Sequence, residues 1–153
     1  MPEADMTDTE DLKAKAQAAI DRRRDWLIDI AKSVLQNPES GFQEKKTSQL
    51  VSEKLGELGI MHESGIALTG IKGYLRGSRP GPTVAVMGEL DSVKVLGHPH
   101  TDPETGAAHA CGHHCQVGML LGAALGLTAP GVIDSLSGTV ALMALPAEEF
   151  IDV

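Results

Sequence analysis

The chain has 153 residues, 42% hydrophobic and 22% charged, which is enough for one domain with a real core and too apolar for a disordered tail. Its 13 basic against 21 acidic side chains leave −8, which repels phosphate, and four aromatics (Trp26, Phe42, Tyr74, Phe150) are too few for base stacking. No run approaches the ~20 apolar residues of a membrane span. The opening residues lack the apolar core of a signal peptide and two cysteines cannot build a disulfide framework, so nucleic-acid, membrane and secreted classes are set aside and a cytoplasmic address is expected.

Residues 1–11 carry five acids (Glu3, Asp5, Asp8, Glu10, Asp11) and are expected to form a flexible acidic leader. From Leu12 the apolar positions Ala16, Ala19, Ile20, Trp26, Leu27, Ile30 and Val34 have helical spacing, with Thr7 to Thr9 as cap hydroxyls and Asn37-Pro38 as the stop. Arg22-Arg23-Arg24 reads as the solvated face of that helix. A second helix is expected over 44–58, with Leu50, Val51, Leu55 and Leu58 inward and Gly59 just past its end. Short strands follow near 60–64 and 69–76, then a turn through Gly77-Ser78-Arg79-Pro80-Gly81-Pro82.

Thr83 to Gly88 is a continuous apolar run, as in a strand covered on both faces, and Thr139 to Leu145 is a second one, halted by Pro146. Between them lie a loop over 92–110, rich in Pro, Gly, His and Asp, and a nearly all-apolar helix over 112–127. Helices interleaved with apolar strands predict an α/β fold of three αβα layers with a mixed, largely parallel sheet.

Charge and chemistry are concentrated in the second part of the chain. Residues 1–94 hold all 13 Lys and Arg against 15 acids, a net of −2, whereas residues 95–153 hold none against six acids, a net of −6. Buried elements simply carry few charges, but an acidic cleft without ammonium or guanidinium groups also suits a bound cation. Within it, His109-Ala110-Cys111-Gly112-His113-His114-Cys115 offers five metal donors in seven residues. Imidazole and thiolate suit a borderline ion such as zinc, and the spacing matches neither a finger nor a ribbon. Asp91 follows the first apolar strand and Glu148-Glu149 the second, and ligands in open α/β sheets gather beyond the carboxyl ends of strands. An adjacent carboxylate pair can divide the work between holding metal and moving protons.

These pieces resemble the peptidase M20 family of metal-dependent amidohydrolases, in its aminoacylase and N-acyl-amino-acid hydrolase branch. The matching runs are Pro38-Glu39-Ser40-Gly41-Phe42-Gln43-Glu44-Lys45-Lys46-Thr47-Ser48, Thr69-Gly70-Ile71, Gly81-Pro82-Thr83-Val84-Ala85, Glu89-Leu90-Asp91, His109-Ala110-Cys111-Gly112-His113 and Pro146-Ala147-Glu148-Glu149. The resemblance implies that Cys111, His113 and Glu149 are metal ligands and that Glu148 is the general base on metal-bound water. It implies that Asp91 supports the site by orienting a ligand, and it leaves His109 and His114 beside the site, near ligands or substrate. It also implies two divalent ions, with zinc expected first and manganese or cobalt as alternatives. The partners implied are a small-molecule amide substrate (an N-acyl amino acid or peptide-like compound) and a second copy in a homodimer of the full-length form.

Two departures qualify these expectations. His114 stands where the family pattern has an acid, and Cys115 is read as a helix-packing residue rather than a ligand. The family's further histidine ligands and its smaller lid or dimerisation domain find no match, so residues 12–153 are expected to be the N-terminal portion of a truncated catalytic domain. Two other classes remain open: a catalytically incomplete metal-binding or interaction module, and a thiol hydrolase with Cys111 as nucleophile.

Overall fold

The computed structural model describes residues 6–149. In chain order these form α1 (Met6–Arg22), α2 (Arg24–Gln36), α3 (Lys45–Glu57), β1 (His62–Ile66), β2 (Gly70–Arg76), β3 (Arg79–Glu89), β4 (Val93–Lys94), β5 (Ala107–Ala108), α4 (His113–Leu127), α5 (Val132–Ser135) and β6 (Ser137–Leu145).

Helix α1 begins at Met6, so the second half of the expected leader is helical, and residues 1–5 lie outside the described residues. Asp8 in the first turn complements the helix dipole, and the pairs Glu10–Lys13 and Asp11–Lys15 face each other one turn apart. The single helix expected over 12–36 is two helices, because Arg23 leaves the helical region (φ −113°, ψ 20°) and its guanidinium lies 4.3 Å from the centre of the Trp26 ring. Both halves pack against α4. There Gly118, Gly122 and Gly126 recur every fourth residue and admit Leu27, Ala31 and Ile20, the closest approach being 3.1 Å between Ile20 Cδ1 and a Cβ built on Gly126. Helix α3 falls where its periodicity placed it, with Val51 and Leu55 buried and Gly59 at φ 72° closing the end.

The four-stranded sheet has the order β1-β2-β6-β3. It is mixed, as expected, but not largely parallel: β1–β2 and β2–β6 are antiparallel and only β3–β6 is parallel. The connection of residues 67–69 between β1 and β2 is too short for a parallel crossover. Ile71, Leu142 and Ala144 share one face of the sheet, and that face is covered by Ile30 and Val34 of α2, Val51 and Leu55 of α3, and Val117, Leu120, Leu121 and Ala124 of α4. Among the described residues the helices form one layer over this face.

The expectation of two equally buried strands holds for β6 and fails for β3. Ala141, Leu142 and Ala144 of β6 are buried, while Val84 and Met87 of β3 are 57% and 59% exposed. Strand β3 is the sheet edge, where Pro80 and Pro82 cost no ladder hydrogen bonds, and it begins at Arg79 inside the expected turn. Beyond it, the expected loop contains the short β4–β5 hairpin.

Candidate metal centre

Strands β3 and β6 run parallel in the register Gly88↔Ala144 and Glu89↔Leu145, and the Leu90 N–H donates to the Leu145 carbonyl at 2.9 Å. Their carboxyl ends therefore lie side by side, which brings Asp91 next to Glu148 and Glu149, although 57 and 58 positions separate them in the chain. Gly88 lets α4 approach: a Cβ there would stand 3.1 Å from the Gln116 carbonyl oxygen and 3.2 Å from Leu120 Cβ. The amino end of α4 is thereby set over the strand ends. Gly112, at φ 95°, makes the reversal between Cys111 and His113, the first residue of the helix.

His113 is the hub of the site. Its side chain is buried, and Nδ1 lies 2.9 Å from the Asp91 carbonyl oxygen, an atom that can only accept, so Nδ1 carries the hydrogen. In the neutral imidazole the lone pair is then on Nε2. That nitrogen faces Glu89 Oε2 at 2.8 Å, Glu148 Oε2 at 3.8 Å and Glu149 Oε1 at 3.9 Å. Three carboxylates converging on this one nitrogen are an arrangement that a bound cation neutralises. Two donor sets could hold one, Cys111–His113–Glu149 and Glu89–His113–Glu148, each with ligand atoms within 4.8 Å of one another.

Asp91 lies beneath these groups, fully buried. Its Oδ2 accepts the Glu149 N–H at 2.8 Å, which ties the start of one strand-end segment to the other. Its Oδ1 is 3.3 Å from His113 Nδ1 but, with that hydrogen committed to the carbonyl, has no hydrogen-bond partner. A buried carboxylate oxygen without a donor is a costly feature unless positive charge is close by. Burial pushes the Cys111 thiol up, and the carboxylates of Glu149 and Asp91 add to that rise. A bound cation acts in the opposite direction and favours the thiolate.

The remaining predicted residues fall around this hub. His109 is buried with both ring nitrogens unpartnered, and burial first, then His114 and His113, lower its pKa to about 4, so it is neutral. Its ring stands 5.7 Å from that of His114, centroid to centroid; burial lowers the His114 pKa as well. Neither belongs to the two donor sets. Cys115 is exposed, with Sγ 3.3 Å from His114 Nε2, at the edge of a groove between α1, α2 and α4, so its expected packing role is not what the structure shows. His98 and His100 pair with each other on the exposed part of the loop. One site residue escaped the sequence reading: Glu89, whose carboxylate is nearest to His113. The available signal was its place as the last residue of an apolar strand, two before Asp91.

No family model matches the chain. It is 38% identical over 143 residues to thermostable carboxypeptidase 2 of Saccharolobus solfataricus, covering 91% of this chain and 36% of that protein. It is 37% identical over 128 residues to IAA-amino acid hydrolase ILR1-like 5 of Arabidopsis thaliana, with 82% and 29% covered. It also superposes on the YXEP protein of Bacillus subtilis, a dinuclear metal-binding peptidase of the M20 family, with a TM-score of 0.71 at 28% identity, covering 87% of this chain and 37% of that one. In sequence and in fold the chain is similar to the peptidase M20 family. It spans about a third of the length of the curated relatives it matches. The M20 resemblance drawn from short motifs thus extends over nearly the whole chain, including the α/β architecture that carries Asp91, Cys111, His113 and Glu149 to one end of the sheet.

Proposed function

We propose that this chain supplies one half of the metal centre of a hydrolase that cleaves the amide bond of an N-acyl amino acid or peptide-like small molecule. The observation that carries the reading is His113 Nε2, ringed by Glu89, Glu148 and Glu149 with Cys111 beside it. The relatives support the substrate class: they include a carboxypeptidase, an IAA-amino acid hydrolase and an N-acetyl-L-cysteine deacetylase, the last 33% identical over 126 residues.

In this reading Cys111, His113 and Glu149 hold a divalent ion, zinc before manganese or cobalt, with Glu89 on the side of a second. Bound ions supply a Lewis acid for the amide carbonyl and an acidified water. The chain's own residues do the rest. Asp91 keeps His113 in the tautomer that presents Nε2, through its carbonyl, and holds Glu149 in place through Oδ2. Glu148 accepts no hydrogen bond among the described residues, and its side chain is 49% exposed against 34% for Glu149, so its carboxylate is free to take a proton and deliver it to a leaving amine. Further ligands and the substrate-binding lid come, on this reading, from sequence outside residues 12–153. The same short coverage motivates the second reading, a metal-binding module without turnover. Cys111 as a nucleophile is opposed by a thiol that burial and carboxylates both push up.

Calorimetric titration with Zn²⁺ tests the assignment. The wild-type chain binds it, and Cys111→Ala weakens binding by at least about tenfold, ~1.4 kcal/mol. Glu148→Gln retains Zn²⁺ and, in a form of the protein with turnover, loses roughly 10²–10⁴ in rate. Equal affinities for wild type and Cys111→Ala remove Cys111 from the centre, and a Glu148→Gln enzyme of normal rate removes Glu148 as base.

A further inference from the structure

The segment before α3 holds a second carboxylate that the metal reading leaves unused. Glu44 is fully buried, and its oxygens accept three hydrogen bonds from three separate parts of the chain. Oε1 receives the Phe42 N–H at 2.9 Å and the Ala147 N–H at 2.8 Å, and Oε2 receives the Thr69 hydroxyl at 2.6 Å. Both backbone donors to Oε1 belong to residues in the left-handed region, Phe42 at φ 61° and Ala147 at φ 55°. That conformation costs a non-glycine residue about 1–2 kcal/mol and persists only where its surroundings enforce it.

The position of Ala147 gives this bond its consequence. Ala147 is the turn between Leu145, the last residue of β6, and Glu148–Glu149, so its φ sets the direction in which both glutamates leave the strand. The same short segment also grips the end of β3. The Glu39 carbonyl accepts both the N–H and the hydroxyl of Ser92, at 2.8 Å and 2.9 Å, and Ser40 bridges to Ser92. Glu39 Oε1 and Oε2 meanwhile accept the Lys46 and Thr47 N–H groups at the start of α3, which fixes the segment to the helix. One bracket, residues 39–47, therefore holds the ends of both site-bearing strands.

We propose that Glu44 is a positioning residue for the metal centre: by accepting the Ala147 N–H it holds the left-handed turn that aims Glu148 and Glu149 at His113. This rests on the reading of those residues as a metal site, and only the second arm of the test depends on it. A buried carboxylate that makes no ion pair with Lys or Arg among the described residues is expensive, and three donors converging on it are what make it tolerable. An ordinary core position would be filled by an apolar side chain of the same size.

The experiment compares Glu44→Met, Glu44→Gln and Ala147→Gly. In the metal-free chain, Glu44→Met accelerates amide exchange at Ala147 and Glu149 beyond the change at β6 core amides. Titrated with Zn²⁺, Glu44→Met binds about 10–100-fold more weakly, the range typical of partners that orient a ligand. Glu44→Gln keeps an acceptor for Ala147 N–H and stays near the wild-type affinity. Adding Ala147→Gly to Glu44→Met recovers part of the loss, since glycine occupies positive φ without strain. If Glu44→Met does not fold, Glu44→Asp, whose carboxylate is drawn back by one methylene, takes its place. Exchange at 147 and 149 that follows global stability alone, or Zn²⁺ affinity indifferent to Glu44→Met, overturns the proposal. A wild-type chain that binds no Zn²⁺ fails the metal reading only, and the exchange pattern then decides whether Glu44 holds the turn.

Discussion

Strands β3 and β6 are near twins in sequence, Thr83-Val84-Ala85-Val86-Met87 against Thr139-Val140-Ala141-Leu142-Met143, and they pair residue for residue in parallel register. Their environments differ sharply. Strand β6 has a neighbour on each side and its Ala141 is 3% exposed, whereas β3 has one neighbour and its Met87, on the same face of the sheet, is 59% exposed. The difference teaches that an apolar run reports the surroundings a strand is built for, while burial in a given chain depends on which neighbours are present. Both ends nevertheless converge on His113, because register and not burial aligns them.

Truncating the two strands breaks or sharpens this contrast. Leu142→Ala, in the centre of the sheet, lowers the unfolding free energy by about 2–5 kcal/mol, while Met87→Ala on the edge changes it by less than ~0.5 kcal/mol. Urea denaturation of both variants measures the gap, and equal losses mean that β3 is covered in solution. Gly88→Ala is the intermediate case. It is the one buried position of β3, and its added Cβ meets the Gln116 carbonyl and Leu120, so a cost of ~1–3 kcal/mol is expected from overpacking. A neutral Gly88→Ala in the same denaturation assay shows that α4 can move away from the strand ends.

Much of the fold was legible because its signals are local. The periodicity of Leu50, Val51 and Leu55, Gly59 past the helix end, and Pro146 after β6 each fix an element without help from distant residues. Spacing and family resemblance singled out Cys111, His113 and Glu149 as candidates, and the fold brings their ligand atoms within 4.8 Å of one another. The features that escaped are tertiary. The break at Arg23 accompanies the packing of both helices on the glycine stripe of α4, and no propensity in Arg22-Arg23-Arg24 announces it. The antiparallel place of β2 beside β6 joins residues some 70 positions apart. Glu89 looked like the end of a strand, and only the approach of His113 from α4 gives its carboxylate a role.

The two strands also differ in how the chain leaves them. Strand β6 reaches its glutamates within four residues, but β3 leads into the long 92–110 segment before the chain returns at Cys111. Asp102 closes the tight part of that segment: its Oδ1 accepts the Thr105 N–H at 2.7 Å, the Thr105 hydroxyl at 2.9 Å and the Glu104 N–H at 3.0 Å. The bonds from Thr105, the largest influence, with a smaller one from Glu104, hold its carboxyl below the usual carboxylate range. A depressed folded value means that the turn gains from the ionised form at neutral pH; the gain is full above the free-aspartate value and is gone once acid titrates the folded carboxylate. The expected outcome is protection of the Thr105 amide that is full above the range where free aspartate titrates and declines through that range as pH falls toward the folded carboxylate's lower value. The effect is small, because the group is solvent-exposed. Asp102→Asn flattens the profile while retaining an acceptor for the turn, and a Thr105 protection factor with the same acid transition in both proteins assigns the titration to another group.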